Sequence, residues 1–454
     1  MRKKTSLKYN PFPMPMSGVL GIIIMGTSTI ALCFMVIVMM IDKGTSGCYG
    51  SNTVPVLVDS DLGTDDLFAI VHLLHYHHQV NDRQLLQRRP PQLREQLSNT
   101  YSELRNEEED EHWKRFETSK FIHHDGAIQN FTISVIGVSL VTGMQLSLEN
   151  SVDILQRLQL FTNGFERHES VMNLISQEQL KLPKLYISMD PHGLIPSQSH
   201  SFSEGAWYAK WNDKELHMAD ILGMPPIVNY SHPTLLPVVS GQDYVKEMMN
   251  LLKNQIELNQ PATILAIGPL TNLARLVLSN QNHILEKAIE KIVIMGGAIN
   301  MIDPSNTING AEWNFFCDST AAEIALRTFS GRIVLFDLKV ANLDAVNETN
   351  AQDIYKFATS FNIPKPTLQF VQLGLLELSR ASLTYDVVTS FYLTHPHLFT
   401  LQKICVSISS ESPTQGIIHQ VDCTGQEEHD IVVNRAVTFN KSQYLEYLKE
   451  LFRV

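Results

Sequence analysis

The stretch Val54-Pro-Val-Leu-Val-Asp59-Ser-Asp61-Leu-Gly63-Thr-Asp65-Asp66-Leu-Phe-Ala-Ile70 decides the fold. Its apolar run Val56-Leu57-Val58 reads as a buried strand. That strand delivers Asp59 and Asp61 at its C-terminal end. Gly63 permits a tight turn, and Thr64 is placed to cap a helix that opens with Asp65 and Asp66. Four carboxylates thus crowd one strand-to-helix corner. Like charges at close range raise one another's pKa, and a helix N-terminus offsets only about 0.3–1 kcal/mol per anion. A hard cation is the simplest device that keeps all four ionised, and oxygen ligands favour Ca2+ or Mg2+. Asp65 and Asp66 point about 100° apart on a helix, so one can hold the ion while the other faces a ligand. The plainer alternative is an acidic helix cap with solvated side chains.

Outward from this corner the chain is asymmetric. Residues 1–17 are basic, with Arg2, Lys3, Lys4 and Lys8, and residues 18–41 contain no charge. At 1.5 Å per residue the uncharged run reaches about 36 Å, enough to cross a bilayer. The basic flank puts residues 1–17 in the cytoplasm and the rest outside the cytosol. An uncleaved signal anchor is the expectation, and a cleaved signal peptide that leaves a secreted domain is the alternative. Sequons at Asn130, Asn229, Asn347 and Asn440 suit a lumenal or extracellular domain. On the C-terminal side of the corner, residues 78–128 are charged, Gln-rich and poor in aliphatics. They read as a surface insertion in a domain spanning 49–454.

The remainder alternates strands and helices. Phe131–Val141, Leu182–Met189, Ala262–Gly268, Lys291–Ile299 and Arg332–Leu338 read as strands, with helical segments between them. The tail, from Ile404 to Phe439, reads as hairpin material before a terminal helix over 441–452. This rhythm predicts an α/β fold, a mostly parallel central sheet with helices on both faces. Ligands in such sheets sit outside the C-terminal strand ends, where the acidic corner lies. Net charge is −12, which makes a nucleic-acid surface a poor expectation. Of five cysteines, none has metal-site spacing. Cys405 and Cys423 flank the hairpin and either pair or remain free thiols.

Three further stretches carry polar groups beyond what packing needs. Ile264–Leu273 ends a strand at Ile267-Gly268-Pro269, which leaves a backbone carbonyl facing the same crevice, a normal Ca2+ ligand. Asn306–Asn314 places Asn306, Glu312 and Asn314 near that crevice, types that pair with sugar hydroxyls. Thr384-Tyr385-Asp386 opens an apolar helix, where Asp386 is either an N-cap or a further metal ligand.

These motifs together resemble the calcium-dependent nucleoside hydrolases of the inosine/uridine-preferring family. The D-x-D-x-G-x-D-D signature stands as Asp59, Asp61, Gly63, Asp65 and Asp66. The G-P-L-T-N turn is Gly268–Asn272, and the M-G-G strand end is Met295-Gly296-Gly297. The N-x5-E-x-N element is Asn306, Glu312 and Asn314. His217–Gly223 is similar to the family's H-G-x-D-G-L-G stretch, and Tyr385–Leu393 to its H-D-P-L-A-V-A-Y-L element. The resemblance implies that Asp61, Asp66, Asp386 and the main-chain carbonyl of Ile267 hold Ca2+. It implies that Asp61 is the general base and that Asp59 supports the metal ligands from behind. It further implies that Asp65, Asn306, Glu312 and Asn314 bind the ribose, with His217 in the substrate site. The implied reaction is hydrolysis of the N-glycosidic bond of a ribonucleoside, with a homo-oligomer as a further possibility.

Two positions depart from the family pattern. Tyr385 stands where some members have the His that protonates the leaving base; a phenol can donate a proton or stack. Gly143-Met144 replaces a Gly-Asn pair, so Met144 removes a polar contact near the ribose. These departures motivate a rival reading, a non-catalytic nucleoside-binding ectodomain. A second rival is a Mg2+ phosphohydrolase built on Asp59-x-Asp61, although it leaves Asp65 and Asp66 without a role.

Overall fold

A computed structural model describes residues 53–61, 65–66, 68–70, 72–74, 121–122, 128–129, 132–141, 184–187, 238–240, 244–280, 283–301, 306–342, 352–353, 356, 385–425 and 430–451. The chain divides into two compact units, Met1–Ser51 and Asn52–Val454. The expected anchor at 18–41 lies outside the described residues, as do Gly63, Met144, His217 and most of the insertion. Among the described residues no helix is long and apolar enough to cross a membrane.

The second unit is built on a ten-stranded sheet. In chain order, β1 (Thr53–Ser60) is followed by a two-residue antiparallel pair, β2 (Phe121–Ile122) and β3 (Ile128–Gln129). Next come β4 (Thr132–Leu140), β5 (Lys184–Ile187) and β6 (Val238–Ser240). Helix α1 (Tyr244–Glu257) leads to β7 (Ala262–Ala266), α2 (Thr271–Leu278), α3 (Leu285–Ala288) and β8 (Ile289–Met295). A small pair, β9 (Thr307–Ile308) and β10 (Ala311–Glu312), precedes α4 (Trp313–Cys317) and α5 (Ser319–Thr328). Then come β11 (Ile333–Phe336), α6 (Leu338–Ala341), α7 (Tyr385–Thr394), β12 (Phe399–Ile408), β13 (Ile418–Val421), β14 (Ile431–Phe439) and α8 (Lys441–Leu451).

The strand order is β13-β12-β14-β11-β8-β7-β1-β4-β5-β6. All pairings from β14 across to β6 are parallel. At one end of the sheet, β12 pairs antiparallel with β14 and with the edge strand β13. The expected mostly parallel α/β sheet is therefore present. Its strands are apolar at successive positions because both faces are buried. Val56 and Val58 join one core cluster with Phe68–Ile70, α7 and α8, whereas Leu57 joins another with α1, α2 and α5. The same alternation divides Val293 and Met295 from Ile292 and Ile294, as the pleat requires. β1 lies between β4 and β7, so its C-terminal end is at the middle of the sheet edge.

The tail resolves the cysteine question. Cys405 on β12 is paired in register with Val421, and this brings it into a disulfide with Cys423. Cys317 is free and buried.

Candidate active site

The pleat sends the last residues of β1 to opposite faces. Asp59 turns toward α2. Its Oδ1 accepts from Ser139 Oγ on β4 at 2.5 Å and from Asn272 Nδ2 at 2.9 Å. Asn272 also donates to the Leu140 carbonyl at 3.0 Å. Tyr244 Oη donates to Asn272 Oδ1 at 3.0 Å, and Arg275 Nη1 donates to Tyr244 Oη at 2.8 Å. Burial raises the Asp59 carboxyl to about 6 against these donors, and its Oδ2 is buried without a hydrogen-bond partner. Asp59 is therefore tied to β4 and α2 through Ser139 and Asn272.

Ser60 turns to the other face and donates to Asp66 Oδ1 at 2.6 Å. Asp66 and Asp386 are buried, and Asp65 is partly exposed. Carboxylate oxygens of Asp65, Asp66 and Asp386 lie within 4.8 Å of one another. They come from the first turn of the helical segment after β1 and from the first turn of α7, two elements of the same core cluster. Asp61 is also buried, and its charge acts on Asp66 and Asp386. Burial, then neighbouring carboxylates, pushes Asp66 and Asp386 well above the usual range. Burial raises Asp65 to about 6. Asp386 Oδ1 has no hydrogen-bond partner.

A buried, all-oxygen group of this kind fits a hard divalent cation. The expected set was Asp61, Asp66, Asp386 and the Ile267 carbonyl. The structure gathers Asp66 and Asp386 and brings Asp65 itself into the group. The Ile267 carbonyl accepts from Asn314 Nδ2 at 3.2 Å, which leaves it one lone pair. Gly268 explains the approach of this strand end: a Cβ there would stand 2.8 Å from the Asp61 nitrogen.

The sugar-binding candidates separate into two kinds. Glu312 is fully buried and caps α4. It accepts from the backbone nitrogens of Asn314 at 2.8 Å, Gly297 at 3.0 Å and Phe315 at 3.2 Å. Burial still raises its carboxyl to about 7. Asn314 is buried and reaches both Ile267 and Met295 carbonyls, at 3.2 and 3.3 Å. Asn306 is exposed in a left-handed turn with φ 63°, and its carbonyl accepts from the Trp313 nitrogen. Tyr385 is buried beside Asp386 at the start of α7.

Sequence reasoning gave no role to Ser60, Ser139 or Asn272. Ser60 sits between the first two aspartates, and Ser139 lies opposite Asp59 in the parallel register. Asn272 lies inside the quoted G-P-L-T-N turn, but its partner is 213 positions away.

Comparison with known proteins identifies the family and the fold. The family described as inosine-uridine preferring nucleoside hydrolase matches residues 127–446. The pyrimidine-specific ribonucleoside hydrolase RihA of Shewanella baltica is 30% identical over 190 residues, covering 39% of this chain and 55% of that protein. RihA of Citrobacter koseri is 30% identical over 213 residues, 44% of this chain and 64% of that protein. Less than two thirds of either relative's length is therefore matched. An inosine-uridine preferring nucleoside hydrolase structure from Bacillus anthracis covers 88% of this chain and 99% of its own at TM-score 0.52 and 16% identity. A purine-preferring ribonucleoside hydrolase from Gardnerella vaginalis gives 88%, 98%, 0.52 and 16%. At those identities the two structures show the shared fold. The family match extends over more than half of the sequence, and the chain belongs to the inosine-uridine preferring nucleoside hydrolase family.

Proposed function

We propose that the chain is a Ca2+-dependent N-ribohydrolase that cleaves a ribonucleoside to ribose and free base. The observation that carries this reading is the trio Asp65, Asp66 and Asp386, the last two buried, with Asp386 Oδ1 unpartnered. Asp61, Asp66, Asp386 and the Ile267 carbonyl would hold the ion, with Asp65 close enough to share it with the ribose. When bound, Ca2+ supplies positive charge that offsets the carboxylates and polarises water and sugar hydroxyls.

The chain's own residues do the rest. Asp61 accepts the proton of the attacking water as general base. Asp65, the least buried of the trio, accepts hydrogen bonds from the ribose hydroxyls. Glu312 and Asn314, fixed by backbone contacts, present a rigid polar wall to the sugar. Charge developing at C1′ is positive, and the surrounding carboxylates stabilise it. Tyr385 stacks on or protonates the departing base. Asp59 keeps β1 in place through Ser139 and Asn272.

The compartment belongs to the same proposal. Residues 18–41 anchor the chain, residues 1–17 face the cytoplasm, and the domain is lumenal or extracellular. The Cys405–Cys423 disulfide supports an oxidising environment.

The test is reducing-sugar release by residues 49–454 from inosine, uridine, cytidine and adenosine, with Ca2+ or with chelator. Chelator-sensitive release, lost in Asp61→Ala, is the expected result. Nucleoside binding with no release from any of the four would overturn the hydrolase in favour of a binding ectodomain.

A further inference from the structure

Arg435 on β14 and Asp337, just past β11, form an ion pair that takes no part in the chemistry above. Arg435 Nη2 lies 2.5 Å from Asp337 Oδ2, and both side chains are buried. Both also hold one residue of the strand end after β8. Asp337 Oδ2 accepts from the Ile299 nitrogen at 3.2 Å, and Arg435 Nη2 donates to the Ile299 carbonyl at 3.2 Å. Two residues earlier, Gly297 donates its N–H to Glu312 Oε2 at 3.0 Å and accepts from the Leu338 nitrogen at 2.9 Å. The turn Gly297–Ile299 therefore bridges the ion pair and the Glu312 carboxylate.

The pair is incompletely satisfied. Asp337 Oδ1 and Arg435 Nε are buried without hydrogen-bond partners. An apolar pair of similar volume is often as stable as a buried ion pair or more so. Stability alone therefore gives a weak reason for charges here, whereas a donor and an acceptor that hold the two peptide units flanking Ile299 give a geometric one.

We propose that Asp337 and Arg435 are positioning residues that clamp the Gly297–Ile299 turn and thereby hold Glu312 and Asn314 in register with the sugar. The kinetic part rests on the nucleosidase reading; the backbone part does not. The experiment compares wild type with Arg435→Met and with the double variant Asp337→Leu/Arg435→Met. Three readouts are taken: thermal melting, amide exchange of the peptide containing Gly297 and Ile299, and ribose release at varied nucleoside. Arg435→Met strands a buried carboxylate and melts lower. The double variant regains a melting temperature near wild type. Its Gly297 and Ile299 amides nevertheless exchange about tenfold faster, the loss of about one hydrogen bond. Its KM rises about tenfold with a smaller change in kcat.

Wild-type exchange and wild-type KM in a stable double variant would overturn the clamp and leave the pair a packing feature. Should wild type release no ribose, the hydrolase reading fails while the exchange comparison still decides the clamp. Should the double variant not fold, near-isosteric Asp337→Asn replaces it. Faster exchange at Ile299 supports the clamp there, and unchanged exchange rejects it.

Discussion

The close approach of Gly268 to Asp61 can be probed without touching any ligand side chain. Gly268 does not adopt a left-handed backbone, so alanine is compatible with its conformation. The obstacle is steric. The new Cβ would sit 2.8 Å from the Asp61 nitrogen, 2.8 Å from Val141 Cγ1 and 3.1 Å from Asp61 Cβ. Ordinary contact begins near 3.4 Å, so the ends of β1 and β7 must part by about 0.6 Å. The nearest atom is backbone in the middle of a sheet, bracketed by the hydrogen bonds Ile267 N to Asp59 O and Val141 N to Ser60 O. It cannot swing aside as a side chain would. Overpacking of this kind costs about 1–3 kcal/mol. It also moves Asp61 away from the Ile267 carbonyl. Since about 1 Å of misplacement costs on the order of 100-fold in rate, 0.6 Å is expected to cost roughly tenfold. Urea unfolding in chelator reads the first quantity, and ribose release against Ca2+ concentration reads the second. A Gly268→Ala protein with unchanged stability and unchanged Ca2+ half-saturation would refute the reasoning.

Four other outcomes are expected. Asp386→Asn relieves repulsion among buried carboxylates, so it melts higher than wild type in chelator yet gains no stability from Ca2+ and releases no ribose; a lower melting point in chelator contradicts this. The raised carboxyls of Asp65, Asp66 and Asp386 stabilise the metal-free fold below their folded pKa values and lose that contribution as pH rises through them. Ca2+ needs the ionised forms, so the melting shift on adding Ca2+ grows as pH rises through about 6, the Asp65 value, and a shift constant from pH 5 to 8 counts against the site. Burial lowers His395 to about 3, so the unfolded chain takes up a proton below about 6.5 that the fold refuses. His395→Gln should therefore remove about 2 kcal/mol of the stability lost between pH 7.5 and 5, as read by urea melts. Reducing the Cys405–Cys423 bond, which closes a separation of 18 residues, should cost about 3 kcal/mol, and equal urea midpoints with and without reductant would contradict it.

What could be read in the sequence follows from range. β1, β7, β8 and β11 each carry a short apolar run buried on both faces, such as Val56–Val58 and Ile292–Met295, that local pattern identifies. The acidic corner is equally local. The partners of Asp59 are not: Ser139 and Asn272 come from other strands and helices, and only the assembled sheet order selects them. The disulfide was one of two alternatives until the β12–β13 register brought Cys405 beside Val421 and within reach of Cys423. Asn306 shows the opposite limit. Its place in the N-x5-E-x-N spacing groups it with Glu312 and Asn314, yet a left-handed turn leaves it exposed while the other two are buried. Spacing alone cannot show which members of a motif face inward. Helical geometry points Asp65 and Asp66 about 100° apart, which suggests one on the ion and one on the ligand. Their first turn meets that of α7 closely enough for both to approach Asp386.

The spacing between β1 and β4 in the chain bears on the same topology. The family match begins at residue 127, whereas the acidic strand lies at 53–60, on the far side of the charged segment. β1 nonetheless pairs with β4 from Thr53 to Ser60 and with β7 from Val56 to Asp59, so it is an interior strand of the sheet. A crossover between adjacent parallel strands runs outside the sheet, and each doubling of a flexible connection costs only about 0.6 kcal/mol. Length can therefore accumulate there without disturbing the register that places Asp59, Ser60 and Asp61. A shift of one residue in that register would exchange the faces of Asp59 and Ser60. Asp59 would then leave Asn272, and Ser60 would leave Asp66, so the long excursion is tolerated while the strand it separates is not free to slip.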